Sequence, residues 1–131
     1  MPAWVVQKTA DALNEQGKAI KGSRILILGL AYKKNVDDTR ESPAVEVIHL
    51  LSRKGALVGY SDPHVPTFPR KRDYQFEMKS IELDRHTMRN FDCAILITDH
   101  DAFDYELLQY TETPIIDTRN KLHASLKHTN A

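Results

Sequence analysis

Short apolar runs alternate along this chain with segments in which apolar side chains return every three or four residues. The runs occupy 25–28, 57–60, 93–97 and 115–116. Runs of this length without polar alternation predict strands covered on both faces, the pattern of a parallel sheet flanked by helices. Helical spacing is carried by Val5, Val6, Ala10, Ala12 and Leu13, and again by Ala44, Val47, Ile48 and Leu51. Pro2 suits a first helical turn and Gly17 a left-handed cap, so a helix is predicted over 2–17. Its apolar face is modest, which predicts that it leans on something outside this chain. Ser42 and Pro43 read as the N-cap and first residue of a second helix, which Lys54 and Gly55 end. Residues 78–83 read as a short edge strand, 84–89 as one or two helical turns, and 103–110 as a short helix. The tail is polar from His123 and is expected to fray.

Strands alternating with helices predict an α/β fold, a single doubly wound, Rossmann-like parallel sheet with helices on both faces. Parallel strands place all their carboxyl ends on one edge, where ligands bind in open α/β sheets. The connections 29–42, 61–66, 98–101 and 117–120 therefore converge, and all are polar. The first is the most heavily charged. Between Lys33 and Glu41 stand three cations and three carboxylates, which suggests recognition of a phosphorylated polar ligand.

Charge and composition narrow the function classes. The 18 basic and 18 acidic side chains of the 131 residues cancel. That balance argues against a general nucleic-acid binder and against a polybasic membrane anchor. No apolar run approaches the roughly 20 residues that span a bilayer, and the first twenty residues hold no signal-peptide core. A single cysteine excludes an internal disulfide framework and fits a reducing compartment, so a cytoplasmic location is expected.

Each candidate residue carries two readings. Gly29 follows the first strand, yet the later glycines of G-x-G-x-x-G are missing, as is a P-loop, so phosphates here require side-chain cations. Lys33 or Lys34 serves as a point charge, or both are solvated turn residues. Arg40 forks onto a carboxylate or phosphate, or pairs with Asp37, Asp38 or Glu41 and fixes the loop. Arg119 reaches across the edge, or pairs with Asp117 at the surface. Cys93 lies inside a buried strand and reads as an inert thiol. His100 stands at the loaded edge, where a structural role outweighs acid–base work because no partner is visible. With neither H-E-x-x-H nor C-x-x-C, no metal is expected.

The runs Gly29-Leu30-Ala31-Tyr32-Lys33 and Asp37-Asp38-Thr39-Arg40-Glu41-Ser42-Pro43 resemble the C-terminal domain of the UDP-glucose/GDP-mannose dehydrogenase family. Asp62-Pro63, Thr98-Asp99-His100 and Asp117-Thr118-Arg119-Asn120 follow in the order of that family, and the resemblance covers essentially the whole chain. It is closest to bacterial enzymes acting on UDP-N-acetylhexosamines or UDP-glucose. The resemblance implies an NAD-dependent oxidation of a sugar C6 alcohol to a carboxylate, consuming two NAD through a thioester on a catalytic cysteine. It implies that Tyr32, Lys33 and Arg119 contact the UDP-sugar and that Arg40 lies near the nicotinamide cofactor. It also implies a homo-oligomer in the full-length enzyme.

These residues contain neither a G-x-G-x-x-G domain nor a glycine-rich catalytic-cysteine loop, and Cys93 is not at a matching position. Residues 1–22 are then a lead-in helix and linker from a missing middle domain, and 23–131 the UDP-sugar-binding domain. The chain holds no catalytic residue of its own and is expected to be inactive alone, with NAD bound mainly elsewhere. A free-standing nucleotide-binding or regulatory module on the same fold is the alternative, and a degenerate assembly remnant a third class.

Overall fold

The computed structural model describes residues 2–31, 33, 35, 39, 42–68, 78–119, 122 and 128–130. The elements run α1 (Pro2–Glu15), β1 (Arg24–Leu28), α2 (Pro43–Arg53), β2 (Leu57–Ser61), α3 (Arg85–Arg89), β3 (Cys93–Leu96), α4 (Tyr105–Tyr110), β4 (Ile115–Asp117) and β5 (His128–Asn130). The strands form one sheet in the order β2-β1-β3-β4-β5, and every neighbouring pair is parallel. From β1 the chain goes to one side for β2, then crosses back to place β3 on the other side. The β1/β3 boundary is thus the switch point of the sheet, where loops diverge and leave a crevice.

Strand residues alternate between two apolar layers. Ile25, Ile27, Ile95 and Ile116 pack with Val5 and Leu13 of α1 and with Val47, Ile48 and Leu51 of α2. Leu26, Leu28, Leu96 and Ile115 pack with Met88 of α3 and Leu108 of α4. Both faces are covered, which is why these strands read as continuous apolar runs. Ser42 caps α2, its hydroxyl accepting from the Ala44 amide at 3.2 Å. Gly55 ends the helix region with φ 91°, a left-handed turn that glycine adopts without strain. Among the described residues no helix is long and apolar enough to cross a membrane.

Three expectations need correction. The helix α1 leans on this chain itself: Val5, Val6, Thr9 and Leu13 are buried, and it packs on α2, β3 and β4. Thr9 hides its polarity by donating its hydroxyl to the Val5 carbonyl at 2.9 Å, so the buried stripe is longer than its apolar residues suggest. The tail does not simply fray, because His128–Asn130 forms β5, parallel to β4. The open edge of β4 offers backbone pairing to any extended segment, polar or not. Of the expected edge strand over 78–83, the described residues show one antiparallel bridge, Thr67 to Lys79. That segment instead spends its polar groups on β2 and its loop, with Ile81 N–H on the Tyr60 carbonyl and Ser80 accepting from the Asp62 amide.

Cys93 is fully buried in β3, and burial pushes its thiol up from 9.0 to about 12. Burial, then the Asp62 charge, pushes the Tyr60 phenol from 10.0 to about 12. Both groups stay protonated in the folded chain at pH values where the unfolded chain ionises. Their contribution is intact below pH 9 and is lost as pH rises toward 12. Cys93 is expected to react with a thiol reagent only as fast as the chain unfolds, and the urea midpoint to fall between pH 8 and 11. Rapid labelling of the folded chain, or an unmoved midpoint, would contradict this.

Candidate functional site

Strand register builds the candidate site. Leu28 pairs with Ser61 on one side and with Leu96 on the other, and Leu96 pairs with Asp117. The loops after β2, β1, β3 and β4 therefore leave the sheet side by side. Gly29 lies directly against the β3 loop. It has φ 91°, and a Cβ there would lie 2.5 Å from the Thr98 carbonyl oxygen. The backbones of the β1 and β3 loops touch at the switch point because this position has no side chain.

Asp62, at the end of β2, is the hub. It is 1% exposed, and its Oδ2 accepts from the Leu30 amide at 2.7 Å and the Ala31 amide at 2.9 Å. His100 Nε2 lies 2.9 Å from the same oxygen, and Oδ1 accepts from the His64 amide at 2.7 Å. The carbonyls of this stretch are also paired: Ser42 donates its hydroxyl to Leu30 and Thr98 to Ala31, each at 2.6 Å. Every polar backbone group of Leu30 and Ala31 is thus satisfied within the protein, as burial requires.

His100 extends the hub to the middle of the β1 loop. Its Nδ1 accepts from the Asn35 amide at 2.7 Å. That bond leaves Nδ1 without a proton and places the ring proton on Nε2, donated to Asp62. The His100 carbonyl accepts from the Tyr105 hydroxyl at 2.6 Å. Burial, then the charges of Asp99, Asp101 and Asp117, push that phenol well above its ordinary range. The His64 ring packs 4.6 Å from the His100 ring, centroid to centroid.

At β4, Asp117 is fully buried and shapes the next loop by accepting from the Arg119 amide at 2.8 Å and the Leu122 amide at 2.7 Å. The Arg119 Nε donates to the Ile97 carbonyl at 2.9 Å, and Asp99 stands 3.9 Å from it. The guanidinium is fixed across the β3–β4 edge while the side chain remains 44% exposed.

The expected site residues divide accordingly. Lys33 is exposed on the β1 loop and Arg119 stands after β4, so both leave the same edge of the sheet. Their parent strands β1 and β4 are two places apart, about 10 Å at ordinary strand spacing. Tyr32 and Arg40 lie outside the described residues. Asp117 meets the Arg119 backbone rather than its guanidinium. His100 has the structural role favoured from sequence, and Asp62 and Asn35 emerge as organisers whose partners stand far away along the chain. A cleft of about 440 Å³ opens on this edge beside β2, lined by Ser61, Asp62, Pro63, Ala102 and Phe103 among others.

The turn after β1 cannot cradle a dinucleotide pyrophosphate with its own amides. The Leu30 and Ala31 N–H groups already serve the Asp62 carboxylate, and the space against Gly29 is filled by Thr98 backbone.

The family model for the UDP binding domain of the UDP-glucose/GDP-mannose dehydrogenase family matches residues 26–124. A UDP-N-acetyl-D-mannosamine dehydrogenase of Methanococcus maripaludis is 38% identical over 103 residues, which cover 79% of this chain and 22% of that protein. A UDP-glucose 6-dehydrogenase of Rickettsia bellii is 33% identical over 128 residues, covering 94% of this chain and 29% of that protein. Among solved structures, a UDP-glucose dehydrogenase from the archaeon Pyrobaculum islandicum superposes with a TM-score of 0.74 at 27% identity, covering 98% of this chain and 29% of that one. An NDP-N-acetyl-D-galactosaminuronic acid dehydrogenase from Methanosarcina mazei superposes with a TM-score of 0.74 at 29% identity, covering 93% of this chain and 26% of that one. The chain spans 22–29% of the length of these relatives.

Proposed function

The chain belongs to the UDP-glucose/GDP-mannose dehydrogenase family, as its UDP-binding domain, and from that premise we propose that its carboxyl edge holds the UDP part of a sugar nucleotide oxidised at C6 with NAD. The sugars named for the relatives differ, N-acetylmannosamine in one and glucose in another. UDP is what those substrates share, so a domain common to these enzymes is suited to reading the nucleotide rather than the sugar. Lys33 supplies a point charge to the diphosphate, and Tyr32 lines the same loop. Arg119 approaches from β4 with its guanidinium plane already set by Ile97. Arg40 serves the cofactor side of the domain. The observation that carries this reading is the alignment of the β1 and β4 ends, with Lys33 and Arg119 leaving one edge.

NAD does not fit the β1 turn of this domain, for the reasons of occupied amides and filled space given above. The nucleotide cofactor and the thioester chemistry belong to parts that these residues do not contain, and Cys93, fully buried, is no substitute. The domain's contribution is binding energy from the remote end of the substrate, used to place the sugar for reaction. A soluble homo-oligomer is the setting we assign to the complete enzyme.

Calorimetric titration of the chain with UDP tests the assignment. Saturable binding to UDP, weaker for UMP and absent for uridine, is expected. Mixed with NAD and a UDP-sugar, the chain alone is expected to produce no NADH absorbance. Sustained turnover would overturn the division of labour, and uridine binding as tightly as UDP would remove the diphosphate from the recognition.

A further inference from the structure

We propose that the buried pair His100 and Asp62 is a positioning device for Lys33, and that its working atom is the unprotonated Nδ1 of His100. The inference rests on the reading of Lys33 as a nucleotide contact. The loop stretch that carries Lys33 is fixed on both sides. Two residues before it, the Ala31 amide is held by Asp62 at 2.9 Å and the Ala31 carbonyl by the Thr98 hydroxyl at 2.6 Å. Two residues after it, the Asn35 amide is held by His100 Nδ1 at 2.7 Å. The Asn35 side chain is clasped as well, donating to Asp101 Oδ2 at 2.7 Å and accepting from the Asp101 amide at 3.0 Å.

Asn35 sits at φ 61°, a left-handed conformation that asparagine adopts more readily than most residues other than glycine. The β3 loop holds it there through His100 and Asp101. His100 and Asp62 have fully buried side chains, and both ring nitrogens of His100 are committed to protein partners. The histidine is therefore not placed to touch substrate. It links the β2 and β3 loops to the β1 loop at the switch point, so a long exposed lysine starts from a fixed backbone. Preorganisation of this kind reduces the ordering cost of binding.

Two substitutions separate the two ends of the ring. His100→Asn places an amide oxygen where Nδ1 stands and keeps an acceptor for Asn35. His100→Gln keeps a polar group at the Nε2 end and leaves the Asn35 amide without an acceptor. Asn35→Gly keeps the left-handed backbone, removes the clasp on Asp101, and lies on the exposed side of the loop. Amide hydrogen exchange at residue 35 and calorimetric titration with UDP are the readouts. His100→Asn is expected to retain protection and to bind UDP within about twofold of wild type. His100→Gln is expected to lose protection and to bind about tenfold more weakly, because the backbone that carries Lys33 is then no longer preorganised on its far side. Asn35→Gly is expected to weaken binding about threefold. Equal behaviour of the two His100 variants, or an unprotected Asn35 amide in the wild-type chain, would overturn the proposal. So would wild-type affinity in Asn35→Gly. If exchange follows the acceptor but the wild-type chain binds no UDP, the nucleotide reading fails and the positioning role falls with it, leaving only a loop brace.

Discussion

Asp62→Ala is expected to lower the unfolding free energy by about 3–5 kcal/mol, the range seen when one partner of a buried charged network is removed. The carboxylate is buried and accepts from three backbone amides, those of Leu30, Ala31 and His64, and it faces His100 Nε2. Truncation strands the buried donors among them, the Leu30 and Ala31 amides and the His100 ring, and a stranded buried donor costs its desolvation. The stranded donors belong to loops after different strands, so no single local shift can rescue them. Asp62→Asn keeps one oxygen acceptor and turns the other into a donor. With the amide oxygen at the Oδ2 position, only His64 N–H then meets a like group, and a smaller loss of about 1–3 kcal/mol is expected. Urea unfolding of the three proteins, followed by far-UV dichroism, gives both values. A loss below 1 kcal/mol in Asp62→Ala would mean that the hub is solvated and that the loops are held by other means.

Parts of this architecture are legible in the sequence for clear physical reasons. The runs at 25–28 and 93–97 lack polar alternation because helices cover both faces of β1 and β3, and this single fact predicts the parallel sheet. Parallel strands in turn predict that the loops bearing Lys33, Asp62, His100 and Arg119 meet on one edge. Ser42 and Pro43 predict the start of α2 because capping is a local matter. The failures are non-local. β5 is a short polar segment, His128–Asn130, recruited through backbone pairing with β4, and no side-chain pattern reports that. The apolar face of α1 is modest by its apolar residues alone, whereas the buried stripe also takes in Thr9, whose hydroxyl is satisfied within the helix. The turn chemistry of Asp62 was visible, since Oδ1 caps the His64 amide two residues on. Its second oxygen serves amides more than thirty positions earlier and a histidine 38 positions later. Only the folded register brings those groups together, and single-residue reasoning about His100 found no partner for the same reason.

Lys33→Ala and Arg119→Ala are each expected to weaken UDP binding about ten- to a hundredfold, the equivalent of one charge-assisted hydrogen bond of roughly 1.5–3 kcal/mol. The two cations start from different strands, with β3 between their parents. If both reach the diphosphate they share a partner, so the double variant is expected to depart from the sum of the two single losses. Arg119→Lys keeps the charge but loses the Nε bond to the Ile97 carbonyl that sets the guanidinium plane. It is expected to fall between wild type and alanine, because a flexible ammonium cannot reproduce a fixed fork. Lys34→Ala is expected to do much less than Lys33→Ala, since the proposed contact lies with the lysine directly after Tyr32. Arg40→Ala is expected to leave UDP affinity near wild type and to act on the cofactor side of the complete enzyme. In that enzyme the Lys33 and Arg119 variants should raise KM with kcat little changed if the diphosphate contacts are equal in ground and transition states. A parallel fall in kcat would show that the contacts tighten as the sugar reacts. Calorimetric titration of the chain and saturation kinetics of the complete enzyme separate these outcomes. Equal and negligible effects at Lys33 and Arg119 would make the polar edge a solvated rim and withdraw both residues from the site.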